Sequence, residues 1–166
     1  RQLQLKKLYP DFEIQSVRGN VQTRLRKLQE GQYCALVLAA AGLKRLGLED
    51  RISRYFTVEE ILPAAGQAIL AVQARAGTDV SPLAGFTDPD STCCALAERA
   101  FVRTLDGGCT SPVAAYAQVT GDDMEITGLY VSPDETVLRR GTTCGPKAQA
   151  EALGRALALE LKGECP

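Results

Sequence analysis

Apolar positions near the start of the chain recur at helical spacing, then alternate, then run together, and each pattern predicts a different element. Gln2 to Leu8 reads as the end of a helix, stopped by Tyr9-Pro10. Phe12, Ile14 and Ser16 alternate with Glu13, Gln15 and Val17, the period of a short strand. Arg18-Gly19-Asn20 turns the chain, and Asn20 is placed to cap a helix from Val21 to about Gln29, which Gly31 ends. Cys34 to Ala41 is a near-continuous apolar run, as expected of a strand covered on both faces. Gly42 opens a short helix through Arg45, and Glu49 to Tyr55 adds another turn or two. Strand, helix and strand in that order predict a parallel α/β unit.

Leu62 to Gly66 reads as a crossing segment before an apolar strand from Ala68 to Ala74. The stretch from Gly77 to Asp90 is rich in Gly, Asp and Pro and is the expected domain boundary. Beyond it the pattern predicts a helix from about Ser91 to Leu105, then strands near Val113 to Val119, Met124 to Val131 and Val137 to Gly141. Gly121-Asp122-Asp123 and Pro133-Asp134-Glu135 supply the turns, and a last helix runs from about Pro146 to Lys162. Helix, three strands, helix is the order of a small α+β domain with an antiparallel sheet.

Composition narrows the function classes. The 166 residues carry a net charge of -1 and a pI near 5.6, which argues against a dedicated nucleic-acid binder. The charge is uneven, however: Arg1, Lys6, Lys7, Arg18, Arg24, Arg26 and Lys27 face only Asp11, Glu13 and Glu30 in residues 1–31. Such a basic stretch fits a small anionic ligand or a merely solvated helix face. No apolar run reaches the length of a membrane span, and no signal peptide is recognisable. The chain opens on Arg1-Gln2-Leu3 and reads as a piece of something longer. With 6 cysteines, no histidine and no Cys-x-x-Cys spacing, neither a zinc site nor a disulfide framework is expected. Reduced thiols in a cytoplasmic protein fit better.

The stretch Leu105-Asp106-Gly107-Gly108-Cys109-Thr110-Ser111-Pro112 carries the most chemistry. Two glycines adopt backbone angles closed to other residues and let a group approach the main chain closely. A cysteine beside them, at a helix-to-strand junction, is expected on an exposed loop, although an unassigned cysteine is more often a small buried hydrophobe. With Ala97-Glu98-Arg99-Ala100 before it, the stretch resembles the cofactor-attachment loop of the porphobilinogen deaminase (hydroxymethylbilane synthase) family. Three further motifs resemble the same family in order and spacing: Ser16-Val17-Arg18-Gly19-Asn20-Val21-Gln22-Thr23-Arg24-Leu25, the run Leu38 to Leu48, and Leu62-Pro63-Ala64-Ala65-Gly66-Gln67.

The resemblance implies a transferase of tetrapyrrole (heme) biosynthesis. Such an enzyme polymerises four porphobilinogen molecules with loss of ammonia onto a cysteine-linked dipyrromethane, then releases hydroxymethylbilane by hydrolysis. It implies three stretches: 1–62 as part of a second, periplasmic-binding-protein-like α/β domain, 63–87 as hinge and orphan strand, and 88–166 as a cofactor-carrying α+β domain. Cys109 would hold the dipyrromethane through a thioether, with Arg1, Arg18 and Arg24 on its carboxylates. Arg18, Arg24, Arg45 and Gln67 would meet porphobilinogen and the pyrrole-chain intermediates. For Gln67 a structural role at the crossover is an equal reading, and the family usually has glycine where this chain has Ala68. The implied partner is the N-terminal part of the same enzyme, with no nucleic acid, membrane or metal. The family's catalytic aspartate lies in its first domain and matches nothing here, so no catalytic residue is expected in this chain and no turnover from it alone. A rival reading is a non-catalytic anion-binding module of periplasmic-binding-protein type, for which the Gly-Gly-Cys loop would have no use.

Overall fold

A computed structural model describes residues 1–106 and 112–164 and divides the chain into two compact units, Arg1–Ile61 and Leu62–Pro166. The first unit is helical. It holds α1 (Gln2–Leu8), α2 (Val21–Gln29), α3 (Ala40–Arg45) and a 3-10 turn at Glu49–Arg51. Asn20 caps α2 as its sequence position predicts: its side-chain oxygen accepts the Thr23 N–H at 2.8 Å, filling one of the bonds a helix start leaves open. Gly31 follows at φ +76°, where a residue without Cβ ends the helix most easily.

The strands expected at 12–17, 34–41 and 68–74 do not form, and neither does the parallel α/β unit built on them. A strand is stable only when a neighbour takes its N–H and C=O groups. No described segment pairs with these three, and α3 takes Ala40 and Ala41 from the second. The periplasmic-binding-protein-like sheet is therefore absent from the described residues, and the fold is α+β.

The second unit follows the predicted order closely. A 3-10 turn at Ser81–Phe86 lies inside the expected loop, and α4 runs from Pro89 to Thr104. Asp88 caps α4 by accepting the Ser91 N–H at 2.9 Å, with Pro89 in the first turn, where its missing N–H costs nothing. Three strands follow, β1 (Ala114–Thr120), β2 (Asp123–Val131) and β3 (Leu138–Pro146), antiparallel in the order β1-β2-β3. The register pairs Ala117 with Ile126 and Ile126 with Thr143. A short 3-10 turn, Lys147–Gln149, leads into α5 (Ala150–Lys162).

Both helices lie on one face of this sheet. Ala97 and Phe101 of α4, Ala115 and Ala117 of β1, Met124 and Ile126 of β2, and Leu157, Ala158 and Leu161 of α5 make one buried cluster. Each large side chain taken fully from water here contributes about 1.5–3 kcal/mol. The helices come close because glycines make room. A Cβ on Gly128 would sit 2.4 Å from the Phe101 ring, and one on Gly154 would sit 2.1 Å from the Ala97 carbonyl oxygen.

Candidate functional site

Arg18 and Arg24 flank the entry to α2. Arg18 lies in the unpaired segment just before the Gly19-Asn20 turn, and Arg24 lies one turn into the helix. The Arg24 Nε donates to the Gly19 carbonyl at 2.7 Å, which ties its side chain to the turn that Arg18 enters. The Lys27 ammonium reaches the Arg18 carbonyl at 3.5 Å. Gly42 of α3 stands against the start of α2, so that a Cβ there would meet Val21 Cγ2 at 3.7 Å. Arg45 ends α3 and is exposed. Arg1 lies at the start of α1.

Charge pairing separates the arginines of this unit. Arg26 pairs with Glu30 at 3.8 Å, and Arg54 pairs with Glu60 while also donating to the Tyr9 hydroxyl at 2.7 Å. Arg18, Arg24, Arg45 and Arg51 make no ion pair among the described residues. A guanidinium keeps its charge at any working pH and offers a planar fork of donors to a carboxylate. The unit therefore presents guanidinium groups that no carboxylate of its own neutralises.

The second unit contributes two features. Gln67 sits on a double turn in which its N–H donates to the Ala64 carbonyl at 3.0 Å and the Ile69 N–H donates to the Gly66 carbonyl at 3.2 Å. Gly66 and Ala68 both have positive φ, +74° and +71°. Cys109, expected from the sequence to carry the cofactor, lies outside the described residues, as do Gly107 and Gly108. The helix before them ends at Thr104 with Leu105 as its cap, and Asp106 takes φ +53°, a left-handed angle its short polar side chain tolerates at a helix end.

Sequence reading passed over Glu98. It is only 4% exposed, yet it lies on the stripe Cys94, Glu98, Phe101 of α4, where apolar residues are expected. One carboxylate oxygen accepts the Gly66 N–H at 2.6 Å and the other the Ala117 N–H at 2.9 Å. Burial pushes its carboxyl pKa up, and the two N–H bonds oppose that shift less strongly. A carboxylate at the apolar spacing of a helix was the available signal.

Comparison with known proteins decides the family. Residues 1–81 match the family model described as "Porphobilinogen deaminase, dipyromethane cofactor binding domain", and residues 92–163 match "Porphobilinogen deaminase, C-terminal domain". The chain belongs to the porphobilinogen deaminase family. It is 52% identical to the porphobilinogen deaminase of Alkaliphilus oremlandii over 164 residues, covering 99% of this chain and 55% of that protein. Against the porphobilinogen deaminases of Ruminiclostridium josui and Acetivibrio thermocellus the identities are 50% and 51%, over 98% of this chain and 56% of each relative. The chain thus spans about half the length of the curated relatives it matches. The anion-binding module of periplasmic-binding-protein type finds no support among these matches.

Proposed function

We propose that this chain is the C-terminal part of a hydroxymethylbilane synthase, the transferase that joins porphobilinogen molecules with loss of ammonia. The observation that carries the reading is the pair of porphobilinogen deaminase matches lying in order along the chain, backed by about half identity to relatives named for that activity. The first 62 residues would be part of the cleft's second domain, 63–87 a hinge and returning strand, and 88–166 the cofactor-carrying domain. The free thiols of Cys34, Cys93, Cys94 and Cys144 suit a reducing compartment, so we place the protein in the cytoplasm.

The donor chemistry fits a dipyrromethane bearing acetate and propionate groups. Arg18, Arg24 and Arg45, unneutralised within their own unit, would bind these carboxylates and those of the substrate, with Arg1 joining them on the cofactor. Each charge-assisted hydrogen bond contributes about 1.5–3 kcal/mol, enough to hold a polyanion while letting it shift. Cys109 would carry the cofactor through a thioether, and Gln67 would contact substrate from its turn. When bound, the dipyrromethane supplies the pyrrole carbon on which the chain grows. No carboxylate of this chain is assigned the role of the catalytic acid, so the residues here bind and orient while another part of the enzyme supplies that group.

Intact mass of the denatured protein, followed by peptide mapping, tests the reading. The expected result is an added mass of two pyrrole units on the peptide containing Cys109 in protein made together with the rest of the enzyme. The Cys109→Ser variant should lose it. An unmodified Cys109 in that active preparation, or an adduct on another cysteine, would overturn the assignment.

A further inference from the structure

We propose that Glu98 is a positioning residue whose ionised carboxylate clamps the Ala64–Gln67 turn to the free edge of β1 and thereby fixes where Gln67 stands. The functional weight of this clamp rests on reading Gln67 as a substrate contact; the clamp itself does not.

Geometry makes the case. Ala117 lies opposite Ile126 in the β1–β2 ladder, yet its N–H turns away from β2 and donates to Glu98 at 2.9 Å. The second oxygen takes the Gly66 N–H at 2.6 Å, and Gly66 immediately precedes Gln67. One side chain thus takes an outward N–H of the edge strand and holds a turn far from it in sequence. Within the turn two longer backbone bonds, at 3.0 and 3.2 Å, span backbone with two positive φ angles. Ala65 packs against the buried cluster, so the turn has an apolar foot as well as the carboxylate.

The choice of residue is informative. A buried carboxylate without a cation is costly, and Glu98 makes no ion pair among the described residues. An apolar side chain on this stripe would pack without that cost. Only a side chain with an acceptor at both ends of its head group and glutamate's reach satisfies both N–H donors. Glutamine offers one acceptor and one donor, and aspartate is shorter by a methylene.

The clamp requires the charged form, so it responds to protons. The neighbouring ionisable group on its own helix is the Cys94 thiol, which burial and the Glu98 charge hold above its ordinary value. The turn contributes Ala64, Ala65, Gly66 and Gln67, none of them charged. Tyr116 is the only titratable side chain on β1, and it alternates to the sheet face opposite Ala115 and Ala117. A titration below neutral pH at this place therefore belongs to Glu98.

Amide exchange and side-chain NMR on the whole 166-residue chain test the clamp. In the wild type the Gly66 and Ala117 amides and the Gln67 side-chain amide should titrate together, with one midpoint above the ordinary carboxyl range. In Glu98→Gln, Gly66 or Ala117 should exchange at least tenfold faster while Met124 and Ile126 stay protected, and the Gln67 side-chain resonances should move. Should Glu98→Gln fail to fold, the wild-type titration decides alone. Amides that titrate separately, or a Gln67 that does not respond, would overturn the proposal. The substrate reading has its own failure: Gln67→Ala with unchanged KM in the complete enzyme removes the Gln67 contact and leaves the clamp to the amide data.

Discussion

Ala68 occupies φ +71°, a backbone angle that brings its Cβ against the neighbouring carbonyl at a cost of about 1–2 kcal/mol. The turn it closes needs a left-handed residue there, and a glycine would adopt that angle without strain, losing part of the gain to its greater freedom when unfolded. Ala68→Gly is expected to stabilise the second unit by about 1 kcal/mol, seen as a higher urea midpoint at unchanged slope. A lower midpoint would mean that the methyl group packs usefully. Glu98 gives a second test at this scale, through pH. Because burial raises its folded-state pKa, its contribution to stability is fully present below the ordinary carboxyl range and is lost as pH rises through the raised value. The wild type should therefore lose stability relative to Glu98→Gln as pH climbs from the ordinary carboxyl range to neutral, measured by paired urea titrations. A gap that widens in favour of the wild type would contradict the dominance of burial. Single residues differed in how legible they were. Asn20 was readable as a cap because its role depends on neighbours three residues away, whereas the partners of Glu98 lie 32 and 19 residues off along the chain.

Two glycines inside helices show how packing overrides local preference. Gly42 in α3 has ordinary space around it, the nearest atom to an added Cβ being Val21 Cγ2 at 3.7 Å. Gly42→Ala should therefore stabilise the first unit by about 0.5–1 kcal/mol, the usual preference for alanine in a helix. Gly154 in α5 has the Ala97 carbonyl oxygen 2.1 Å from the same point, and that oxygen belongs to the backbone of α4. Gly154→Ala should force the helices apart and cost about 3 kcal/mol, the upper part of the range for overpacking. Thermal unfolding of the two variants should move in opposite directions, and a neutral Gly154→Ala would show that α4 and α5 can slide. Propensity treats these positions alike; only the helix crossing separates them. The same limit explains the elements. The sheet of β1, β2 and β3 was legible because its strands follow one another through short turns and pair with sequence neighbours. The segments at 12–17, 34–41 and 68–74 carry strand-like patterns, but pattern alone does not supply a ladder partner.

At the scale of the molecule, apolar residues are left in water where the strand pattern is clearest. Leu70 and Val72 are 75% and 68% exposed, and every residue from 71 to 80 is exposed. Phe86, at the end of the following 3-10 turn, is 80% exposed. An extended, apolar and unpaired stretch of this kind is a template for adding to a sheet. The relatives are almost twice as long as this chain, and on the proposed reading the segment around Ala68 to Arg75 would return towards the first domain. We therefore expect the remaining N-terminal part of the enzyme, supplied as a separate polypeptide, to bind this chain and restore porphobilinogen consumption that neither piece shows alone. Leu70→Asp with Val72→Asp should abolish both association and turnover, because two carboxylates would enter the new sheet without partners. Arg18→Ala and Arg24→Ala should leave association intact and weaken substrate binding, each by about tenfold to a hundredfold if one charge-assisted bond is lost. Pieces that associate through 68–74 yet remain inactive would mean that the cleft needs one continuous chain. Turnover by this chain alone would place the catalytic carboxylate within it, and Asp106, beside the Gly-Gly-Cys run, would be the first residue to replace.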